Sequence, residues 1–346
     1  MRRKSDISLR IGMIMLLLGA ALVLAVLPAS ADYDADNPLV TFEKGTITGD
    51  MNYSVGDSHY SPKMWSYEDY VNITTITKEI PLGATNIKGR LYVYWTWSYN
   101  STTSTGVLPN MEVTINGGSP LILDEDYSDS KGYGSWNYPS GTYCYDVSAN
   151  ITASNTPQTY VINITNADGA GTSTSFNIQA VGLLTLYDAS GTLVSKKYWI
   201  AEGCDLLNNR YDNATGGWKY QTSDSVYTTP DNCVALANFT DVTINDGESA
   251  TLITAVPAAG TVYNRLYVNY FQNYPTWEGI KYWDGIWNGA PVYDGNFSCN
   301  TTDVTANIIN GTNYIGFQDG NYAMLPENYE GQMQAANAFL LIEPPE

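Results

Sequence analysis

Histidine is almost absent from this sequence, which carries His59 as its one copy among 346 residues. Mechanisms and metal sites that need two imidazoles are therefore excluded, and with them most zinc hydrolases. His59 would also have to serve any Ser-His-Asp triad, yet no serine lies in a G-x-S-x-G pattern. We expect a protein that is not an enzyme.

Cationic side chains are scarce as well. Lys and Arg total 16 against 35 Asp and Glu, the formal net charge is −19, and charged residues make up only 15% of the chain. Such a surface repels a phosphate backbone, so we expect no nucleic-acid partner. Hydrophobic residues reach 44%, the level of a folded core, which excludes a disordered chain.

Long apolar runs are missing except at the N-terminus. Arg2, Arg3 and Lys4 precede the apolar residues 11–27, and Pro28-Ala-Ser-Ala31 follows with the small residues that signal peptidase reads. The pattern predicts a signal peptide over residues 1–31, and the alternative is an uncleaved anchor helix. No later run approaches the roughly 20 residues of a membrane span. We expect an extracellular protein with no membrane span once the signal is removed.

Sequons of the N-x-[ST] type recur through the rest of the chain. Each match alone is weak, because Asn and Thr are common here, but export would expose them all to glycosylation. The predicted glycosylation sites are Asn52, Asn72, Asn100, Asn150, Asn163, Asn213, Asn238, Asn296, Asn300 and Asn310.

Cysteine occurs 4 times, at Cys144, Cys204, Cys233 and Cys299. An even number in an exported protein predicts disulfides, and the absence of C-x-x-C spacing argues against redox or metal roles. We favour Cys204–Cys233, which closes a local loop, and this leaves Cys144–Cys299. Disulfides between chains are the open alternative.

Secondary structure is of the strand type throughout. The aromatic and β-branched segment 90–97, the segment 160–165 and the apolar run 180–187 each predict a strand. Turn sequences such as Asn116-Gly-Gly and Asn245-Asp-Gly separate them. No stretch after the signal keeps helical periodicity, so the sequence predicts an all-β fold.

Three segments recur in the same order, which indicates an internal duplication. Residues 80–94 resemble 256–269, residues 144–151 resemble 303–308, and the apolar strand 181–186 resembles 338–342. The repeat predicts two tandem β-sandwich domains, jelly-roll or immunoglobulin-like, over residues 32–192 and 193–346.

Within the repeat, charged residues have simple structural interpretations. Arg90 and Arg265 begin matching strands, and we expect each to pair with a carboxylate. Asp146 and Asp303 are expected to cap turns through their side-chain oxygens.

An acidic segment spans residues 124–129. Its carboxylates suit Ca²⁺, which takes hard oxygen ligands, although the order of an EF-hand is missing. We name Asp124, Asp126 and Asp129 as candidate Ca²⁺ ligands. A solvated acidic turn is the alternative.

Aromatic residues form the other candidate site. Trp95 and Trp97 alternate, which predicts that both indoles lie on one face of a sheet. The segment 274–287 contains Trp277, Trp283 and Trp287 beside acidic side chains. Such side chains bind sugars, form contacts between proteins or plug the end of a sandwich. All three interpretations stay open.

Several segments resemble a known family. Gly-Arg-Leu-Tyr-Val-Tyr-Trp-Thr-Trp at 89–97 and Tyr-Pro-Ser-Gly-Thr-Tyr-Cys-Tyr-Asp-Val at 138–147, with residues 126–134 and 336–340, are similar to secreted β-proteins of unknown function abundant in methanogenic archaea. The likeness runs from about Leu39 to Ile342. It implies a cell-envelope protein, a sheath or surface-layer subunit, and it supplies no catalytic residues.

Together these observations favour a structural subunit of an extracellular archaeal envelope, a sheath or surface layer. Its main partner would be further copies of itself, joined through aromatic side chains and sheet edges. The alternative is a secreted carbohydrate-binding protein that uses the aromatic loop 274–287 for surface glycans. A polysaccharide hydrolase is the least favoured class, since its two carboxylates would be hidden among many acids.

Overall fold

The computed structural model describes residues 36–130, 137–169, 174–189, 191, 194–207, 211–212, 217–218, 230, 233–259, 263–269, 281–287, 297–320 and 333–345. The predicted signal peptide lies outside these residues. The described chain is all-β, as the sequence predicts, with one short 3₁₀ helix at Ser148–Asn150. Among the described residues no helix is long and apolar enough to cross a membrane.

The strands follow one another along the whole described chain. They are β1 (Val40–Ile47), β2 (Met51–Ser54), β3 (Tyr70–Ile76), β4 (Thr85–Asn100), β5 (Thr105–Gly106), β6 (Met111–Ile115), β7 (Glu125–Asp129), β8 (Ser140–Asp146), β9 (Thr159–Asn166), β10 (Thr174–Asp188), β11 (Lys196–Leu207), β12 (Tyr211–Asp212), β13 (Gly217–Trp218), β14 (Val234–Val242), β15 (Ser249–Val256), β16 (Asn264–Val268), β17 (Lys281–Asp284), β18 (Ser298–Asp303), β19 (Gly311–Asp319) and β20 (Met333–Glu343).

Four sheets stack in layers. The first sandwich pairs a three-stranded sheet, β3-β9-β6, with a six-stranded sheet, β2-β10-β4-β8-β7, in which β5 also pairs with β4. The second pairs a five-stranded sheet, β1-β11-β20-β15-β18, with a four-stranded sheet, β14-β19-β16-β17. One apolar cluster fills each sandwich, and a third fills the space between the six- and five-stranded sheets. The two sandwiches therefore pack against each other through their larger sheets.

Burial on both faces explains the apolar runs of the inner strands. A strand covered on one side alternates apolar and polar residues, whereas a strand covered on both sides is apolar throughout. The last strands of each sandwich, β10 and β20, are buried almost without interruption. The outer strand β9 alternates between buried and exposed residues instead.

Both sandwiches follow the same strand order. In the second sandwich, the first strand, β11, pairs with the last, β20. Its two sheets, β11-β20-β15-β18 and β14-β19-β16-β17, have the strand order of an eight-stranded jelly roll. The first repeats it as β2-β10-β4-β8 over β3-β9-β6. This likeness is in keeping with the predicted duplication. Strand β1, which the predicted boundary places in the first domain, pairs with β11 of the second sandwich.

The sheet order changes one of the predicted repeat matches. The segments 144–151 and 303–308 end the equivalent strands β8 and β18, and 181–186 and 338–342 lie in the equivalent strands β10 and β20. The predicted match between residues 80–94 and 256–269 is wrong. Residues 80–94 lead into the inner strand β4, whereas 256–269 contain the outer strand β16. The shared Arg-Leu-Tyr-Val sequence therefore serves different places in the two sandwiches.

Close packing inside the first sandwich generates a testable prediction at Gly141. A Cβ atom there would overlap the indole of buried Trp95 and lie 2.5 Å from the carbonyl oxygen of Tyr127. We predict that Gly141→Ala lowers the free energy of unfolding by about 1–3 kcal/mol, because the backbone cannot yield without breaking the sheet. Urea denaturation measures the change. Gly169→Ala, where a Cβ meets no atom within 4 Å, is the control, and an equal loss in both variants would contradict the packing.

Candidate functional site

A buried ion pair joins the two sandwiches. Arg90 on β4 meets Glu202 on β11 through two parallel hydrogen bonds, Nε to Oε1 and Nη2 to Oε2, both at 2.9 Å. The exposed fractions are 5% and 0%. Tyr92 donates a third hydrogen bond to Glu202 Oε1 at 2.8 Å. The two-point geometry fixes one sheet against the other as well as satisfying both charges.

Arg90 is held on its other sides too. Its Nη1 pairs with Asp124, and the ring of Phe42 lies 3.8 Å from the guanidinium carbon. Burial disfavours the charge, but the hydrogen bonds and charge of Glu202 outweigh it and raise the pKa of the Arg90 guanidinium. The predicted pairing of Arg90 with a carboxylate is confirmed, and Arg265 likewise pairs with Asp284.

A cleft of about 230 Å³ opens beside this ion pair. Its charged groups are all engaged: Glu43 pairs with Lys88, and Arg90 pairs with Asp124. The Asp146 carboxylate caps its turn by accepting from the Ser148 backbone and hydroxyl, as the sequence predicts. Each charged side chain of the cleft thus has a partner within the fold. The lining residues are Phe42, Glu43, Lys88, Gly89, Arg90, Asp124, Asp146, Ser148, Leu186 and Ile200.

Tyrosine hydroxyls extend the polar contacts between the sandwiches. Tyr53 and Tyr94 share a hydrogen bond of 2.7 Å between their hydroxyls, and Tyr94 donates to Asn337 Oδ1 at 2.6 Å across the interface. Burial raises the pKa of Tyr53, Tyr92 and Tyr94 well above the usual value. These hydroxyls therefore stay protonated and hold the sheets in register.

The acidic segment is arranged differently from the sequence prediction. Asp124 pairs with Arg90, and Asp126 lies exposed on β7 at the end of its sheet. Asp129 instead joins Asp36 and Asp205, with one oxygen of each carboxylate within 4.8 Å of the others. The predicted set of Asp124, Asp126 and Asp129 is therefore not brought together.

The cluster of Asp36, Asp129 and Asp205 offers carboxylate oxygens, the donor type that Ca²⁺ takes, and of the three residues named from the sequence it contains Asp129 alone. The Asp129 carboxylate accepts from the backbone N–H groups of Leu206 and Ser130 at 2.7 and 2.6 Å. Burial, with the nearby charge of Asp36, raises its pKa to about 6. The signal that sequence reasoning missed was Asp205 itself, an acid inside the apolar run of β11.

The predicted aromatic residues divide between core and surface. Trp287 is fully buried, stacks on Phe317 at 5.2 Å and donates Nε1 to Thr254 Oγ1 at 2.8 Å. Trp283 packs against the same core. Of the three interpretations, these two side chains fit the one in which aromatic residues fill the end of a sandwich. Trp277 lies outside the described residues.

The two tryptophans of β4 do not share a face. Trp95 is buried in the first sandwich, whereas Trp97 is 38% exposed. The register between β4 and β10 shifts between Ser175 and Asn177, opposite Trp97, and Trp97 has a φ of 56°. This irregularity breaks the strict alternation on which the prediction rested.

The cysteines are not arranged as the favoured pairing requires. Cys204 is a free thiol that donates to the Ser140 carbonyl of the first sandwich at 3.4 Å, whereas Cys233 lies in the core of the second. The two side chains are on opposite sides of the five-stranded sheet, so they are not bonded. Cys144 and Cys299 are also free thiols. Burial raises the pKa of Cys144 and Cys204, which makes both poor nucleophiles.

Sequon asparagines lie on several surfaces. Asn72 and Asn163 face each other across β3 and β9, where Asn163 Nδ2 donates to Asn72 Oδ1 at 2.8 Å. Glycosylation stays a prediction at every site. Exposed positions are Asn72, Asn150 and Asn310; partly exposed positions are Asn52, Asn100, Asn163, Asn238 and Asn300; Asn213 and Asn296 lie outside the described residues.

Comparisons with known proteins give a family and little else. The model of a family described as "Protein of unknown function (DUF3344)" matches residues 32–343. A comparison with curated protein sequences gave no significant match. Among solved structures, a peptide-N(4)-(N-acetyl-β-D-glucosaminyl)asparagine amidase aligns over 86% of this chain and 97% of its own, with 8% identity and a TM-score of 0.23. A TM-score this low supports no argument about fold or function.

The buried ion pair gives a prediction with an internal control. We predict that Glu202→Ala lowers the free energy of unfolding by about 3 kcal/mol, because the buried Arg90 guanidinium loses its two-point partner and keeps only the half-exposed Asp124. Arg90→Met combined with Glu202→Leu should recover most of this loss. Asp284→Ala, which breaks the more exposed pair with Arg265, should cost about 1 kcal/mol or less. Urea denaturation compares the variants, and equal losses at Glu202 and Asp284 would contradict the account.

The raised pKa of Asp129 predicts a dependence of stability on pH. The folded protein holds this proton up to about pH 6, because the pKa of Asp129 is raised to about 6, whereas an Asp carboxyl in the unfolded chain has a pKa of 3.8. The contribution of Asp129 is therefore present below pH 4 and is lost as the pH rises through 6, by roughly 3 kcal/mol. Thermal unfolding of the protein and of Asp129→Asn across this range isolates the effect. A difference that grows in favour of the unsubstituted protein at higher pH would contradict it.

Proposed function

Since this chain belongs to the DUF3344 family of proteins of unknown function, we propose that it is a structural subunit of an extracellular archaeal cell envelope, a sheath or surface layer. Copies of the chain associate through exposed apolar side chains and sheet edges. The signal-like N-terminus, the sequons and the resemblance to secreted proteins of methanogenic archaea support export. The proposal includes no catalytic role, and the engaged charges of the cleft support that choice.

One observation carries the assembly role: an apolar loop that the fold holds out into solvent. Ile122 is 87% exposed and its neighbour Leu123 is 41% exposed. The loop is fixed at both ends, since Leu121 N–H donates to the Val113 carbonyl at 2.8 Å and Asp124 N–H to that of Cys144 at 2.9 Å. An anchored loop keeps its apolar side chains in water, and association removes them from it at about 25 cal/mol per Å².

The way the sandwiches are joined supports the same role. A subunit that transmits force or builds a lattice needs its parts fixed in one arrangement. An apolar cluster fills the space between the two larger sheets. Hydrogen bonds from Arg90 to Glu202 and from Tyr94 to Asn337 add directional contacts across it. In the described part of the chain no sheet is closed, and β18 ends the five-stranded sheet with an edge to which a further strand can pair.

Self-association of the purified mature protein tests the proposal. We expect it to form ordered assemblies in sedimentation and electron microscopy as its concentration rises, with and without Ca²⁺. Ile122→Asp should dissolve these assemblies, because a carboxylate does not enter an apolar contact. Leu82→Asp, at a side chain 64% exposed elsewhere on the first sandwich, is the matched control and should still assemble. A wild-type protein that stays monomeric at all concentrations would disprove the role.

A further inference from the structure

A row of aromatic rings lies at the carboxyl end of β4, apart from the contacts that join the sandwiches. We call it the aromatic platform: Trp65, Lys63, Tyr99, Tyr138 and Trp97. Lys63 Nζ lies 5.2 Å from the ring centre of Trp65 and 4.0 Å from that of Tyr99. Tyr99 stacks on Tyr138 at 4.3 Å, and Trp97 meets Tyr138 edge-on at 6.0 Å.

The two tryptophans of the platform are exposed to solvent, and Tyr138 between them is not. Trp65 is 54% exposed and Trp97 is 38% exposed, whereas Tyr138 is buried. The stacked tyrosines support the indole of Trp97, and Lys63 lies between the rings of Tyr99 and Trp65. The arrangement differs from scattered surface aromatics, because each ring lies against another ring or against this shared ammonium.

The backbone at Trp97 is strained in order to place its ring there. A φ of 56° lies in the left-handed region, where a bulky residue is a strained outlier. The register shift opposite it turns this indole away from the core that takes Trp95. Irregular strands of this kind re-aim side chains and concentrate at binding sites.

The loop that carries Trp65 is fixed as well. The backbone N–H groups of Trp65 and Ser66 both donate to Asp69 Oδ2 at 2.8 Å. The N–H of Met64 donates to the Phe176 carbonyl at 2.9 Å. The backbone that carries each exposed indole is therefore fixed before any ligand arrives. A ligand that stacks on them loses little free energy to ordering the protein.

We propose that the aromatic platform binds a saccharide chain, with pyranose rings stacked on Trp65 and Trp97 and a sugar oxygen on Lys63. The C–H faces of pyranoses carry partial positive charge and meet the negative faces of indoles. Lys63 stands within the row, where a polyhydroxylated ligand uses its ammonium as a donor. A protein contact would instead favour a centre depleted of lysine. The inference does not rest on the proposed assembly.

Titration of the unglycosylated protein with cellohexaose, N-acetylchitohexaose and an oligogalacturonate tests the proposal by calorimetry and tryptophan fluorescence. We expect at least one probe to bind with a dissociation constant below about 1 mM. Trp65→Ala and Trp97→Gly should each weaken binding about tenfold or more. Tyr282→Ala, at an aromatic residue of the second sandwich 41% exposed, should leave the affinity unchanged.

Trp97→Gly also separates a binding role from a structural one. Glycine adopts a φ of 56° without strain, so the variant should keep or raise the midpoint of thermal unfolding while it loses binding. If it lowers the midpoint, Trp65→Ala decides: lost binding supports the platform, and retained binding overturns it. Failure of every probe to bind the unsubstituted protein also overturns the proposal, as does unchanged affinity in both variants.

The saccharide has two sources, which a further arm distinguishes. If free hexasaccharide disperses assemblies of the glycosylated protein but the unglycosylated protein does not bind extracted envelope polysaccharide, the ligand is the glycan of a neighbouring copy. Binding of the polysaccharide by the unglycosylated protein identifies the envelope itself. Either result supports saccharide binding, and its failure leaves the self-association experiment with Ile122→Asp unaffected.

Discussion

The carboxylate of Glu202, enclosed between two sheets, is the constraint on which the arrangement of the sandwiches depends. A charge this deeply buried is tolerated only when it is paired and hydrogen-bonded. Arg90 and Tyr92, both on the facing sheet, meet that requirement. The pair is therefore satisfied in one relative position of the sheets, and sliding either sheet would leave the Glu202 carboxylate buried without its hydrogen-bond donors.

Apolar burial supplies most of the favourable free energy, and the polar contacts make the arrangement specific. The six- and five-stranded sheets are covered on both faces at their centres, so inner strands such as β10 and β20 are continuous apolar runs. Apolar surfaces alone would tolerate several registers. Hydrogen bonds from Tyr94 to Asn337 and from Arg90 to Glu202 select one. The result is four layers of sheet within one compact unit.

Local sequence patterns predicted much of the fold and little of the site. Strand periodicity identified the all-β class, and the scarcity of cations made carboxylate partners for Arg90 and Arg265 predictable. The sequence did not predict which carboxylates these partners are. Glu202 lies 112 residues from Arg90, and the two meet only because the sandwiches pack against each other. The irregularity at Trp97 and the burial of Trp287 likewise arise from tertiary packing. Asp36 meets Asp129 and Asp205 for the same reason, and no spacing in the sequence records it.

Tomography of the native cell surface tests the central claim most directly. The protein should be labelled with an antibody against the mature chain, and its density averaged from the intact envelope. A structural subunit of the envelope should give a periodic extracellular array whose repeating unit matches the paired sandwiches. Label confined to the cell interior, or scattered over the surface with no repeat, would contradict it.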